Sequence, residues 1–211
     1  MKITDIQPQK KNKNRFSIYI DGKYYFSLDF NTFKNWDFHI GDEITEGDIE
    51  KLKRKDEFWK AKDYCLNLFS YGEKTENEVI KRLKKKGYSK WIIYEVIKYL
   101  KEYELINDEN FARNWIASMI KIKPMGKFRA EYELKKRGIK PDLAESMCNE
   151  LISYETEMEL AFRAAKKKYE TLKSYNEHEQ KKKLLNFLKN RGFNFEIIMN
   201  VIKEYFGEEI F

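Results

Sequence analysis

The 211-residue chain carries 42 Lys and Arg against 35 Asp and Glu, a formal net charge of +7, with 42% hydrophobic and 16% aromatic residues. That is enough apolar matter for a core beneath a very polar exterior, and no run approaches the ~20 apolar residues of a membrane span. The positive charge is spread along the chain rather than gathered in a tail, so it admits an anionic partner without identifying one. The stretch MKITDIQPQKKNKNR has no apolar core of the kind a signal peptide needs, and a soluble, cytoplasmic protein is expected.

Residues 1–44 differ in kind from the rest. RFSIYIDGKYYFSL alternates, is rich in aromatic and β-branched residues, and turns at Asp21-Gly22, a two-residue hairpin signal. The following FNTFKNWDFHIGDEIT is expected to add an extended piece before Gly41. Too few strands are visible for a free-standing core, so this section should lean on helices. From Glu46 the pattern becomes helical, with Thr45 as its cap and Ile49, Leu52, Trp59 and Leu66 recurring toward Phe69; a break is expected near Lys55-Asp56. Beyond Gly72, Thr75-Glu76-Asn77-Glu78 is a capping box.

The box opens a segment that the chain writes three times. Superimposing Gly87, Gly138 and Gly192 places Leu83, Leu134 and Leu188 four residues before the glycine, and Tyr88, Ile139 and Phe193 one after it. At 5, 6, 9, 10 and 13 residues beyond, every copy is apolar: Ile92, Ile93, Val96, Ile97, Leu100; Leu143, Ala144, Met147, Cys148, Leu151; Ile197, Ile198, Val201, Ile202, Tyr205. Those offsets share one face of a 3.6-residue helix, and the glycine stands where the preceding helix needs a left-handed residue to stop. Ser89 and Asn194 are the next caps, while Lys140-Pro141 places proline at a first helical position.

Each repeated hairpin has a looser leading helix. In the second copy it is expected to be capped by Asp108 and to carry Phe111, Trp115 and Met119 on one face, ending at Pro124-Met125-Gly126. In the third it runs from about Glu155 to Lys173 on Leu160, Phe162, Ala165 and Tyr169. The expected fold is therefore all-α: three tandem three-helix repeats (45–107, 108–153, 154–211) forming an elongated curved array, behind a small N-terminal β-hairpin extension (1–44).

A basic cluster precedes each repeated glycine: Lys84, Lys85 and Lys86; Lys135, Lys136 and Arg137; Lys189 and Arg191. Cations in a last helical turn complement the helix dipole. A row of them at constant spacing also suits a phosphate backbone or an acidic protein groove. Lys127 and Arg129, just after the Pro-Gly break, are exposed by context and join the candidate contact set, whereas Trp115 and Phe111 read as packing residues. His39 and His178 have no metal-ligand spacing, no phosphate-binding glycine loop is present, and Cys65 and Cys148 lie in apolar helical patterns without a basic partner. The residues read as a non-enzyme without cofactor or metal, the thiols being buried and free.

Several fragments, in order, resemble the RecX family of bacterial recombinase regulators over roughly residues 1–206: Tyr71 with Thr75-x-x-Glu78, Lys86-Gly87-Tyr88, Leu105-Ile106-Asn107-Asp108-x-x-Phe111-Ala112-x-x-Trp115, Lys123-Pro124-x-Gly126-Lys127, Glu133-Leu134-x-x-Arg137-Gly138-Ile139 and Arg191-Gly192-Phe193. The chain departs from the family pattern at Gly72, where a basic residue is usual, at Glu104, where glycine is usual, and at Asn107, where Asp is usual. The resemblance implies a regulator of the SOS response, recombination and repair. Such a protein binds RecA-type filaments along their groove and inhibits filament extension, ATP hydrolysis and strand exchange, as a monomer, with DNA within or beside the filament as a further contact. From the residues alone, a stand-alone nucleic-acid-binding helical module is the alternative.

Overall fold

In the computed structural model, which describes residues 1–10 and 12–207, the alternating amino-terminal stretch forms three antiparallel strands. They are β1 (Ile3–Pro8), β2 (Arg15–Ile20) and β3 (Lys23–Asp29), in spatial order β1-β2-β3. Ile18 pairs with Ile6 on one side and Phe26 on the other. Asp21 and Gly22 both have positive φ, +49° and +80°, as a tight primed turn requires. The expected hairpin thus gains a strand: ITDIQP has weak alternation and ends in proline, so its pairing with β2 was not visible in its own pattern. The expected extended piece after β3 is instead a five-residue helix, α1 (Phe30–Lys34), because the Asp29 carboxylate accepts from Asn31 N at 2.8 Å and starts a helical turn.

The inner face of the sheet, Ile3, Ile18, Ile20, Phe26 and Leu28, packs with Trp36 and Ile44 against Ile49 and Leu52 of α2 (Glu46–Phe69). No break occurs at Lys55-Asp56. Asp56 faces inward and is 3% exposed; Arg15 reaches it at 3.2 Å, Lys60 at 2.7 Å, and Asp29 N donates to it at 2.6 Å. A buried carboxylate paired in this way interrupts the apolar stripe without interrupting the helix. The rear half of α2 buries Ala61 and Cys65 against α3 (Glu76–Lys85) and α4 (Lys90–Glu102), while Leu66 falls outside both faces and stays exposed.

Two compact units are present: Met1–Lys74 with Val79–Ile106, and Thr75–Glu78 with the chain from Asn107 onward. The second holds α5 (Asp108–Ile122), α6 (Lys127–Lys136) and α7 (Pro141–Leu151), then α8 (Tyr154–Glu170), α9 (Glu177–Asn190) and α10 (Phe195–Phe206). Each trio has its own core, and Ile120 packs against both. The α5 cap is Asn107, one residue before the expected Asp108; its side chain accepts from Glu109 N and Asn110 N at 3.0 Å. Helix α8 stops at Glu170, short of Lys173, and Leu172 turns inward, 2% exposed. No helix among the described residues is long and apolar enough to cross a membrane.

The repeat is structural. Leu83, Leu134 and Leu188 are completely buried, and so are most of the fifteen periodic positions, with Leu143, Leu151 and Tyr205 at the margins.

Candidate partner-binding site

The three basic clusters sit on one kind of helix end. Gly87, Gly138 and Gly192 have φ of +86°, +91° and +74°. In each case the glycine N–H bonds back to the carbonyl of Lys84, Lys135 or Lys189, and the next N–H (Tyr88, Ile139, Phe193) to that of Leu83, Leu134 or Leu188. This is the Schellman ending, and it leaves other terminal carbonyls facing the cations of the last turn.

The ten candidate cations then divide. Lys84, Lys85, Lys136 and Lys189 are exposed, and Lys86 lies 5.3 Å from the Tyr64 ring. Lys135 pairs with Glu131 at 3.0 Å, a hydrogen bond that raises the lysine pKa. Arg129 is exposed, paired with Glu133 at 2.5 Å and stacked 5.2 Å from the Tyr132 ring. Lys127 is half-buried as the first residue of α6, and its backbone N–H donates to Glu157 Oε1 at 3.0 Å. Arg137 and Arg191, also half-buried, do most for the architecture.

Arg137 pairs with Glu78 at 3.0 Å and covers the Phe111 ring, and its carbonyl accepts from Thr75 Oγ1 at 2.8 Å. Its counterpart Arg191 donates to the Pro124 carbonyl at 3.1 Å and covers Phe187, and its own carbonyl accepts from Gly126 N at 3.0 Å. A carboxylate completes each clasp: Asp108 accepts from Glu76 N at 2.9 Å, and Glu157 from Lys127 N. Glu157, 5% exposed, also accepts from Asn194 N at 3.2 Å, so one oxygen serves the starts of two helices. The glycines make the approach possible. A Cβ on Gly138 would lie 2.3 Å from Asn77 Cβ, one on Gly192 2.4 Å from Arg129 N, and one on Gly126 2.2 Å from the Gly192 carbonyl oxygen.

Packing Gly126 on Gly192 draws α5 and α6 to the turn before α10 and leaves a cleft of about 430 Å³ there. Arg129, Arg137 and Arg191 line it with Lys123, Glu133 and Asn190, over Trp115, Met119 and Met125. Three of the candidate cations therefore converge on one place, while Lys127, Lys135, Lys136 and Lys189 stand outside its lining. Lys123 entered the sequence reading only as part of the Lys123-Pro124-x-Gly126-Lys127 motif and not as a candidate cation, Glu157 escaped it, and Trp115 is both a packing residue and part of the cleft wall. One signal was available: Thr75 and Gly126 are 51 residues apart, the same offset as Gly87 and Gly138.

The fold and this site define a tandem helical-repeat protein with a small β-extension, whose distinctive chemistry is basic helix ends and the turns between them. Four domain families match it in order: the regulatory protein RecX N-terminal domain at residues 1–45, and the first, second and third RecX three-helix domains at 61–100, 107–147 and 155–202. The chain is 31% identical to the regulatory protein RecX of Clostridium perfringens (strain SM101 / Type A) and 32% to that of Clostridium beijerinckii, in each case over 99% of this chain and 98% of the relative. A crystal structure of regulatory protein RecX matches with a TM-score of 0.79 at 26% identity, covering 95% of this chain and 98% of that one. RecX from Lactobacillus salivarius matches at 0.65 and 27%, covering 71% and 97%. The chain belongs to the RecX family of regulatory proteins.

Proposed function

We propose that the protein binds filaments of a RecA-type recombinase and restrains them, inhibiting filament extension, ATP hydrolysis and strand exchange. It thereby modulates homologous recombination and DNA repair. Membership of the RecX family along nearly the whole chain carries this reading. The protein acts as a cytoplasmic monomer, by binding rather than catalysis and without a cofactor, through an extension (1–44) and three repeats (45–107, 108–153, 154–211). Burial pushes the Cys65 and Cys148 thiols up to about 12, which makes them poor nucleophiles and supports the non-enzymatic reading.

The filament contact falls on the cation set, led by its exposed lysines Lys84, Lys85, Lys86, Lys136 and Lys189, with Lys127, Arg129, Lys135, Arg137 and Arg191 beside them; DNA in the filament meets the same groups. Exposed cations contribute little to stability, so reversing them should act on binding. Lys85→Glu, Lys136→Glu and Lys189→Glu combined should weaken capture of the recombinase, with and without DNA, at unchanged helicity, and added salt should weaken the wild type likewise. Arg191 is left out because it anchors the Pro124 carbonyl. Undiminished capture by the triple variant would refute the contact surface. Loss of bare-DNA binding alone would favour a nucleic-acid-binding module.

A further inference from the structure

We propose that the cleft formed by α5, α6 and the turn before α10 is a binding site for a phosphate-bearing anion, a nucleotide in particular. The cleft shares Arg129, Arg137 and Arg191 with the proposed filament contact, but the ligand assigned to it follows from its own lining. Four cations line the cleft (Lys123, Arg129, Arg137, Arg191) against one carboxylate, Glu133. That excess matches a di- or trianion better than a single carboxylate.

The guanidinium groups are also held in place. Arg137 is fixed by Glu78 and Phe111, Arg191 by the Pro124 carbonyl and Phe187, and Arg129 by Glu133 and Tyr132. Each anchoring hydrogen bond uses one donor, and a guanidinium has five N–H groups, so most remain for a ligand. The ordering cost of arginine side chains is already met before a ligand arrives. The Lys123 backbone N–H caps α5 on the Met119 carbonyl at 2.9 Å, while its ammonium makes no hydrogen bond or ion pair among the described residues.

The rest of the wall suits the other half of a nucleotide. Trp115, Met119 and Met125 form an apolar side, and Asn190 adds an amide able both to donate and to accept. About 430 Å³ falls within the range of small-molecule clefts. The site is preformed, because the Gly126–Gly192 abutment sets its width with backbone atoms.

Titration calorimetry on the full chain, with inorganic tripolyphosphate, ATP and a short oligothymidylate as probes, tests the assignment. Trp115 fluorescence should respond to ATP or the oligonucleotide, and Trp115→Phe should abolish the response. Lys123→Gln and Arg129→Gln, both at exposed positions, should each weaken binding about tenfold without lowering the melting temperature, while Lys23→Gln, at the exposed start of β3, should leave it unchanged. Binding of tripolyphosphate and ATP would make the ligand a free phosphate compound, and binding of the oligonucleotide alone would make it a nucleotide within a strand; both support the site. Absence of binding by all three probes would overturn it. Binding that survives both cleft variants, or equally tight binding of a polyglutamate peptide, would do the same.

Discussion

Replacing Gly126 with alanine isolates the contribution of the close approach between repeats. Gly126 has φ of −78°, an angle alanine adopts freely, so on conformational grounds the substitution should stabilise by about 0.4–1 kcal/mol. The new Cβ, however, would sit 2.2 Å from the Gly192 carbonyl oxygen and 2.3 Å from Phe193 Cα. Both are backbone atoms, and no rotamer relieves the overlap. Separating the turns costs about 1–3 kcal/mol as overpacking. It also strains the Gly126–Arg191 hydrogen bond at 3.0 Å and those converging on Glu157, worth about 1 kcal/mol each. The expected loss is about 2–5 kcal/mol, read by urea unfolding followed by far-UV circular dichroism, with faster hydrogen exchange at the Lys127 and Asn194 amides. Gly87→Ala is the control: nothing lies within 4 Å of its Cβ and φ is +86°, so only the left-handed penalty of about 1–2 kcal/mol applies. A Gly126→Ala protein as stable as wild type would refute the reasoning.

Glu157→Ala should cost about 2–3 kcal/mol in urea unfolding, since two part-buried helix-start N–H groups lose their acceptor, and Glu157→Gln should recover part of it. Glu104 has φ of +53°, a left-handed angle that glycine adopts without strain; Glu104→Gly should raise stability by up to about 1 kcal/mol, measured by thermal melting. The Cys65 and Cys148 thiols, raised to about 12 by burial, should resist a thiol reagent at mildly alkaline pH until urea unfolds the chain. Because unfolding returns each thiol to its ordinary pKa near 8.5, their contribution to stability is complete below that pH and declines as pH rises from about 9 toward 12.

The repeated hairpins were legible because burial and period coincide: Leu83, Leu134 and Leu188 recur at fixed distance from a glycine that must turn left-handed, and each is completely buried. Local chemistry also revealed Thr45, Ser89 and Asn194, whose side chains accept the expected capping bonds. Long-range partners were less accessible. Asp56 looks like a helix break until Arg15, 41 residues earlier, is known to reach it. The cleft depends on Arg191 meeting the Pro124 carbonyl 67 residues away, and a one-dimensional pattern does not pair those residues. The cation clusters were visible as clusters, but not the division that makes Lys136 an exposed charge and Arg137 a clasp.

The clasp also sets the third hairpin apart from the other two. Thr75 and Gly126 each stand twelve residues before the glycine of their own hairpin and receive the turn of the following one. The corresponding position in the third hairpin is Gln180, which lies inside α9, its backbone N–H bonded to Asn176 O and its amide to Tyr175 O. Helix has grown over the socket. The third repeat inserts its turn into the second, and at its own equivalent position α9 occupies the place where Thr75 and Gly126 receive a turn, so lengthening a single helix changes what a repeat presents.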